Sequence, residues 1–159
     1  KSDFSLDPRP KDKMLTLGGT VRLKSAYIIR CTDCERGADG EVKKVYAEII
    51  EGTKSGQDNS GLKVKGVIHW VDKKNCVDLT ARLYDYLLDD DKTGKDFSER
   101  LNLNSLTVCA AKGEKLLKSA AKGESFQFLR QGYFVRDIKS DGLVFNRVVG
   151  LKDSFKAKA

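Results

Sequence analysis

The chain has 159 residues, 40% hydrophobic and 33% charged, which suits one domain or two small ones with a real core and excludes a disordered chain. No apolar run approaches the roughly 20 residues of a membrane helix, and residues 1–20 are polar, without the apolar stretch of a signal peptide. The net charge is +7 and uneven: +3 over residues 1–80 (15 basic, 12 acidic), −2 over 81–108 (4 and 6) and +6 over 109–159 (11 and 5), a basic field that suits a polyanion such as nucleic acid or, more plainly, a solvated lysine-rich surface.

In chain order, period-2 alternation dominates. Residues 20–31 read as one long strand, with Val21, Leu23 and Tyr27 on one face and Arg22, Lys24 and Ala26 on the other. Asp39-Gly40 marks a hairpin turn, residues 42–50 a return strand, and residues 51–61 a polar loop. Residues 62–71 and 77–88 read as a third and a fourth strand, and the run Asp89-Asp-Asp91 to Gly94 as an acidic loop. Residues 96–101 form a helical turn and 105–111 are extended. Residues 114–122 make the one convincing helix, lysine-rich toward its end and stopped by Gly123. Residues 126–137 and 143–151 form a further strand pair around Ser140-Asp-Gly142, and 155–159 a fraying tail. Many short strands with little helix predict an all-β barrel architecture.

Chemistry is thinly represented. His69 is the only histidine and cannot serve at once as base, orienter and metal ligand, so a hydrogen-bonded structural role in a strand is expected. Trp70 beside it reads as core. Cys31-Thr-Asp-Cys34 has the spacing of half a zinc knuckle, but no second pair or His-x₃₋₅-His completes it, and Cys76 and Cys109 stand apart. No metal site is expected, and the four cysteines read as reduced thiols of a cytoplasmic protein. Gly18-Gly19 lacks the context of a phosphate loop, and Asp89–Asp91 lacks calcium-loop spacing. Better candidates are Arg22 and Lys24, two apart on one strand face, and Gln127 and Arg130, set among Phe126, Phe128, Tyr133 and Phe134. Gln127 and Arg130 have opposite parity and converge only where the strand twists, bulges or ends. Ordinary strand surface would look the same.

Five blocks carry a family resemblance: Gly19-Thr-Val-Arg-Leu-Lys-Ser-Ala-Tyr-Ile-Ile29, Lys63-Val-Lys-Gly-Val-Ile-His-Trp-Val71, Arg82-Leu-Tyr-Asp85, Phe126-Gln-Phe-Leu-Arg-Gln-Gly-Tyr-Phe134 and Val144-Phe-Asn-Arg-Val-Val-Gly-Leu-Lys-Asp153. In this order, from about Asp3 to Phe155, the chain resembles the C-terminal anticodon-binding region of glutaminyl-tRNA synthetases. The resemblance implies two antiparallel β-barrels packed side by side, a distal one from residues 17–110 and part of a proximal one from 1–16 and 111–159. It implies that Gln127 and Arg130 hold the middle uridine of the anticodon and that Arg22 and Lys24 meet the first base. Lys24 replaces a frequent arginine. Met14 stands where many members carry an arginine near the third base, and Lys13 beside it offers a donor or meets phosphate.

The resemblance also implies an upstream catalytic domain that uses ATP and Mg²⁺. The His-Ile-Gly-His-type and Lys-Met-Ser-Lys-Ser-type signatures of that domain do not occur here, the chain opens on Lys1, and its only methionine is Met14. The expectation is therefore a piece of a longer class I ligase, itself without activity or cofactor. Its expected partners are the anticodon loop of a glutamine tRNA and the upstream domain, with no membrane, in a cytoplasmic monomer. The alternatives are the anticodon region of an archaeal or eukaryotic-type glutamyl-tRNA synthetase and a β-barrel module that docks onto protein; a stand-alone hydrolase is more remote.

Overall fold

The computed structural model describes residues 3–9, 11–89 and 94–151. The chain divides into two compact units, Lys1–Trp70 and Val71–Ala159. Both are built on antiparallel sheet, so the all-β class holds. By hydrogen bonding among the described residues each sheet has an open strand order. The boundary at 70/71 differs from the expected divisions at 16/17 and 110/111, because the strand of residues 76–84 pairs both with the strand of 106–114 and with the C-terminal strand of 144–149.

The first unit holds β1 (Thr20–Leu23), β2 (Ile28–Arg36), β3 (Val42–Ile49) and β4 (Val67–Ile68), in the order β3-β2-β1-β4. The expected strand over 20–31 is two strands. Leu23 N–H donates to Tyr27 O (2.9 Å) and Ala26 N–H to Leu23 O (2.9 Å), with Ser25 at φ 59°. A turn this tight lets the alternation continue across it, so the pattern alone cannot show the reversal. Val21, Ile28 and Cys31 are almost completely buried, and Leu15, Phe4, Ile29, Val45 and Ile68 join Val21 and Cys31 in the core. The turn at Gly37–Gly40 and the return strand are present as expected, with Gly40 at φ 75°.

The expected strand over 62–71 shrinks to the two residues of β4, which pairs in parallel with β1. On its other side Gly66 packs against the backbone of Lys13, so closely that a Cβ would collide with the Lys13 carbonyl. An irregular segment there offers no ladder to extend the strand. His69 is half-buried just beyond β4. Trp70 is not core: it is 44% exposed, and its indole N–H donates to Lys24 O (3.1 Å).

The second unit holds β5 (Cys76–Tyr84), β6 (Leu106–Glu114), β7 (Ser125–Phe128), β8 (Gly132–Arg136) and β9 (Val144–Val149), in the order β6-β5-β9-β8-β7. Only β5 and β9 run parallel. One helical turn, α1 (Phe97–Arg100), lies within the expected 96–101. The acidic run 90–93 and the tail 152–159 lie outside the described residues.

The expected helix over 114–122 is instead a 3₁₀ turn at Lys115–Ser119. β6 continues to Glu114, paired with Cys76, and the chain must fold back at once to bury Leu117 against Leu79. A Cβ at Gly113 would stand 2.6 Å from both leucine side chains. Five residues in so tight a return suit a 3₁₀ turn. Gly123, at φ 83°, turns the chain toward β7 rather than ending a helix.

The core of this unit is aromatic. Phe145 is fully buried, its ring 5.8 Å from Phe126 in an edge arrangement and 5.3 Å from Phe128, and Phe128 stacks on Phe134 at 4.4 Å. On the opposite side Asp137 accepts from Ser140 N (2.9 Å) and Oγ (2.5 Å) and from Asn146 Nδ2 (2.9 Å), with Arg82 at 3.6 Å. These bonds, Ser140 and Asn146 foremost, hold its carboxyl below the ordinary 3.8. A depressed folded-state pKa stabilises the fold above about pH 4, and the gain disappears as pH falls through the lower folded value. Asp137→Asn is therefore expected to make the acid-side fall in melting temperature shallower, and an unchanged slope would remove Asp137 from the acid response.

Candidate nucleic-acid interface

The first unit carries Lys13, Arg22 and Lys24, and the structure brings them to one place. All three border the β4 segment: Gly66 packs on the Lys13 carbonyl, Arg22 N–H donates to Gly66 O (2.9 Å), and Lys24 N–H donates to Ile68 O (2.9 Å). Lys13 and Lys24 are exposed, whereas Met14 is half-buried. Lys24 lies just beyond the end of β1, at the start of the turn, and its N–H continues the pairing with the 66–68 segment that Arg22 begins.

Arg22 is held by its neighbours. Its Nη1 donates to Thr53 O (2.6 Å) and Ala26 O (3.2 Å), and its Nη2 is paired with the Asp58 carboxylate. Thr53 is the one fully buried polar residue among those described. Its hydroxyl donates to Ile50 O (2.6 Å) and accepts from Ile28 N (2.9 Å). Asp58 also accepts from Ser60 Oγ (2.6 Å) and N (2.9 Å). Those bonds first, and the Arg22 guanidinium after them, push its carboxyl below the usual carboxylate range.

Gln127 and Arg130 stand in the second unit. The stretch over 126–137 is a hairpin rather than one strand: β7 ends at Phe128, Gln131 N–H donates back to Phe128 O (2.9 Å), and β8 begins at Gly132. The strand thus ends between Gln127 and Arg130. Gln127 is exposed on β7, and Arg130 occupies the turn at φ 65°. Of the four neighbouring aromatics, Phe126, Phe128 and Phe134 pack inward, while Tyr133 is 46% exposed and directly opposite Gln127.

Arg147 of β9 was not singled out by its position in the sequence. A Cβ at Gly132 would stand 3.4 Å from its Cδ, which brings the arginine beside the first residue of β8, next to the turn of the Gln127–Arg130 hairpin. The offset between β8 and β9 at Tyr133/Phe134 sets that placement, and spacing along one strand carries no trace of it.

Chemically, the first unit offers guanidinium and ammonium groups and the second amide, guanidinium and phenol groups, in each case suited to recognition. Burial pushes the Cys31 thiol up from its ordinary value, away from the thiolate that nucleophilic or metal chemistry needs. Among the described residues no group of three or more His, Cys, Asp and Glu could hold a metal ion, and no helix is long and apolar enough to cross a membrane.

Residues 67–137 match the family described as tRNA synthetases class I (E and Q), anti-codon binding domain. Among curated proteins, the chain is 43% identical to the glutamine–tRNA ligase of Clostridium perfringens, over 99% of this chain and 30% of that one. It is 44% identical to the glutamine–tRNA ligase of Cupriavidus taiwanensis, over 98% and 28%, and 39% identical to that of Salmonella paratyphi B, over 100% and 29%. The chain thus spans under a third of the length of the curated relatives it matches. Similarity to glutamine–tRNA ligases runs along nearly the whole chain, and residues 67–137 carry the match to the anticodon-binding domain of class I synthetases.

Proposed function

We propose that this chain reads the anticodon of a glutamine tRNA on behalf of a longer, monomeric cytoplasmic enzyme that attaches glutamine using ATP and Mg²⁺. No residue of this chain is assigned to those cofactors. The observation that carries the reading is the alignment with glutamine–tRNA ligases over 98% or more of the chain. The chemistry agrees with it. Anticodon bases lie in a single-stranded loop and can be read on their Watson–Crick edges. Uracil presents acceptor, donor and acceptor. A glutamine amide pairs with the donor and one acceptor, and an arginine supplies a further donor. Gln127 and Arg130 take that role for the middle uridine, Arg22 and Lys24 meet the first base, and Lys13 serves the third base or a phosphate.

Binding of a glutamine anticodon stem-loop to the 159-residue chain is expected to weaken with salt in proportion to the phosphates contacted. Gln127→Ala and Arg130→Ala are each expected to cost about 1–3 kcal/mol, chiefly against a middle U. If wild type and both variants respond equally to a middle-base change, the assignment fails. Because the matched family covers both E and Q enzymes, a glutamate stem-loop belongs in the same titration. Tighter binding to it would assign the chain to glutamate instead.

A further inference from the structure

The grip on Arg22 has a consequence for coding that rests on the anticodon reading above. A guanidinium carries five N–H donors in a rigid fork. Here Nη1 serves the carbonyls of Thr53 and Ala26, and Nη2 serves Asp58. Among the described residues Nε donates to none of the groups around it. The side chain is only 20% exposed, so an RNA base meets one fixed edge of the group rather than a mobile cation. The loop that supplies the grip is itself fixed: Thr53 is fully buried and bonded through its hydroxyl to Ile50 and Ile28, and Asp58 is bonded to Ser60.

A fixed donor discriminates where a mobile one does not. On the Watson–Crick edge, the position nearest the sugar is the O2 acceptor in both cytosine and uracil. In guanine the same position is the N2 amino donor, and in adenine it is a C–H. A donor held at that position accepts either pyrimidine and opposes guanine, donor against donor. A free arginine could swing to guanine O6 and N7, its commonest base contact. We propose that Asp58, together with the Thr53 carbonyl, is a positioning residue that fixes the Arg22 donor edge and so excludes purines, guanine above all, from the first anticodon position. A loop with guanine there reads histidine codons, so the exclusion separates two amino acids.

The test titrates the 159-residue chain with two anticodon stem-loops that differ only in the first letter, C-U-G and G-U-G. The wild type is expected to favour C-U-G by about 10-fold or more, the effect of one well-placed hydrogen bond gained or opposed. Asp58→Ala is expected to reduce that ratio below about 3-fold while leaving middle-base discrimination unchanged. Asp58→Asn keeps a carbonyl for Ser60 but removes the charge facing Arg22. It is expected to fall between the two, and it decides the question if the alanine variant fails to fold. A loop with a changed middle base, tested on wild type and Gln127→Ala, separates the two ideas. Indifference of the wild type to the middle base sinks the anticodon reading itself. Middle-base discrimination with an undiminished C-over-G ratio in both Asp58 variants, or with no such ratio in the wild type, overturns the positioning role alone.

Discussion

Phe145→Ala is expected to destabilise the second unit by about 3–5 kcal/mol, the range for a large aromatic removed from a close-packed core. Phe145 is fully buried near the start of β9 and packs against the rings of both Phe126 and Phe128, and Phe128 in turn stacks on Phe134. Its removal leaves a cavity that three rings on two other strands cannot fill without leaving their rotamers. β9 is also the only strand joining the β5–β6 pair to the β7–β8 hairpin, so loosening it separates the two halves of the sheet. Thermal melting should show a midpoint more than about 10 °C lower. A shift of only a few degrees would mean that the site collapses well and that the aromatic cluster is not the main source of stability.

Gly132→Ala is expected to cost about 2–4 kcal/mol, combining a strained backbone with a steric collision. Gly132 sits at φ 134°, a conformation that side chains with a Cβ rarely adopt, and a Cβ there would run into the carbonyl of Val149 on β9. The residue also closes the turn that holds Arg130, four residues after Phe128 and opposite it in the ladder. Accommodating a methyl group requires β8 to move off β9, and the hairpin tip with Gln127 moves with it. The variant should therefore melt earlier and also lose part of its middle-base discrimination, although neither Gln127 nor Arg130 has been changed. A variant within about 1 kcal/mol of wild type would show that the β8–β9 ladder yields easily, and the hairpin could not then be regarded as rigidly placed.

The paired effects in the two units share a cause. In each, a candidate side chain is held by residues outside the candidate set: Thr53 and Asp58 for Arg22, Gly132 for the hairpin of Gln127 and Arg130.

What the chain's order of residues determined by itself was the class of fold. Alternation of apolar and polar residues is a local property of pleated chains, so the all-β class, the hairpin at Gly37–Gly40, β3 and β5 could be read directly. The blocks around Arg22 and Gln127 were equally legible as motifs. Tertiary structure decided what depends on contacts between distant residues. Residues 114–122 follow a helical pattern, yet the need to bury Leu117 against Leu79 shortens the segment to a 3₁₀ turn. Trp70, apolar enough for a core, lies half outside because its indole finds the Lys24 carbonyl at the surface. The grip of Asp58 on Arg22 spans 36 positions, and the offset that brings Arg147 to Gly132 joins separate strands. Spacing along one strand reports only which face a residue takes; which partner waits there is set by the packing of the whole sheet.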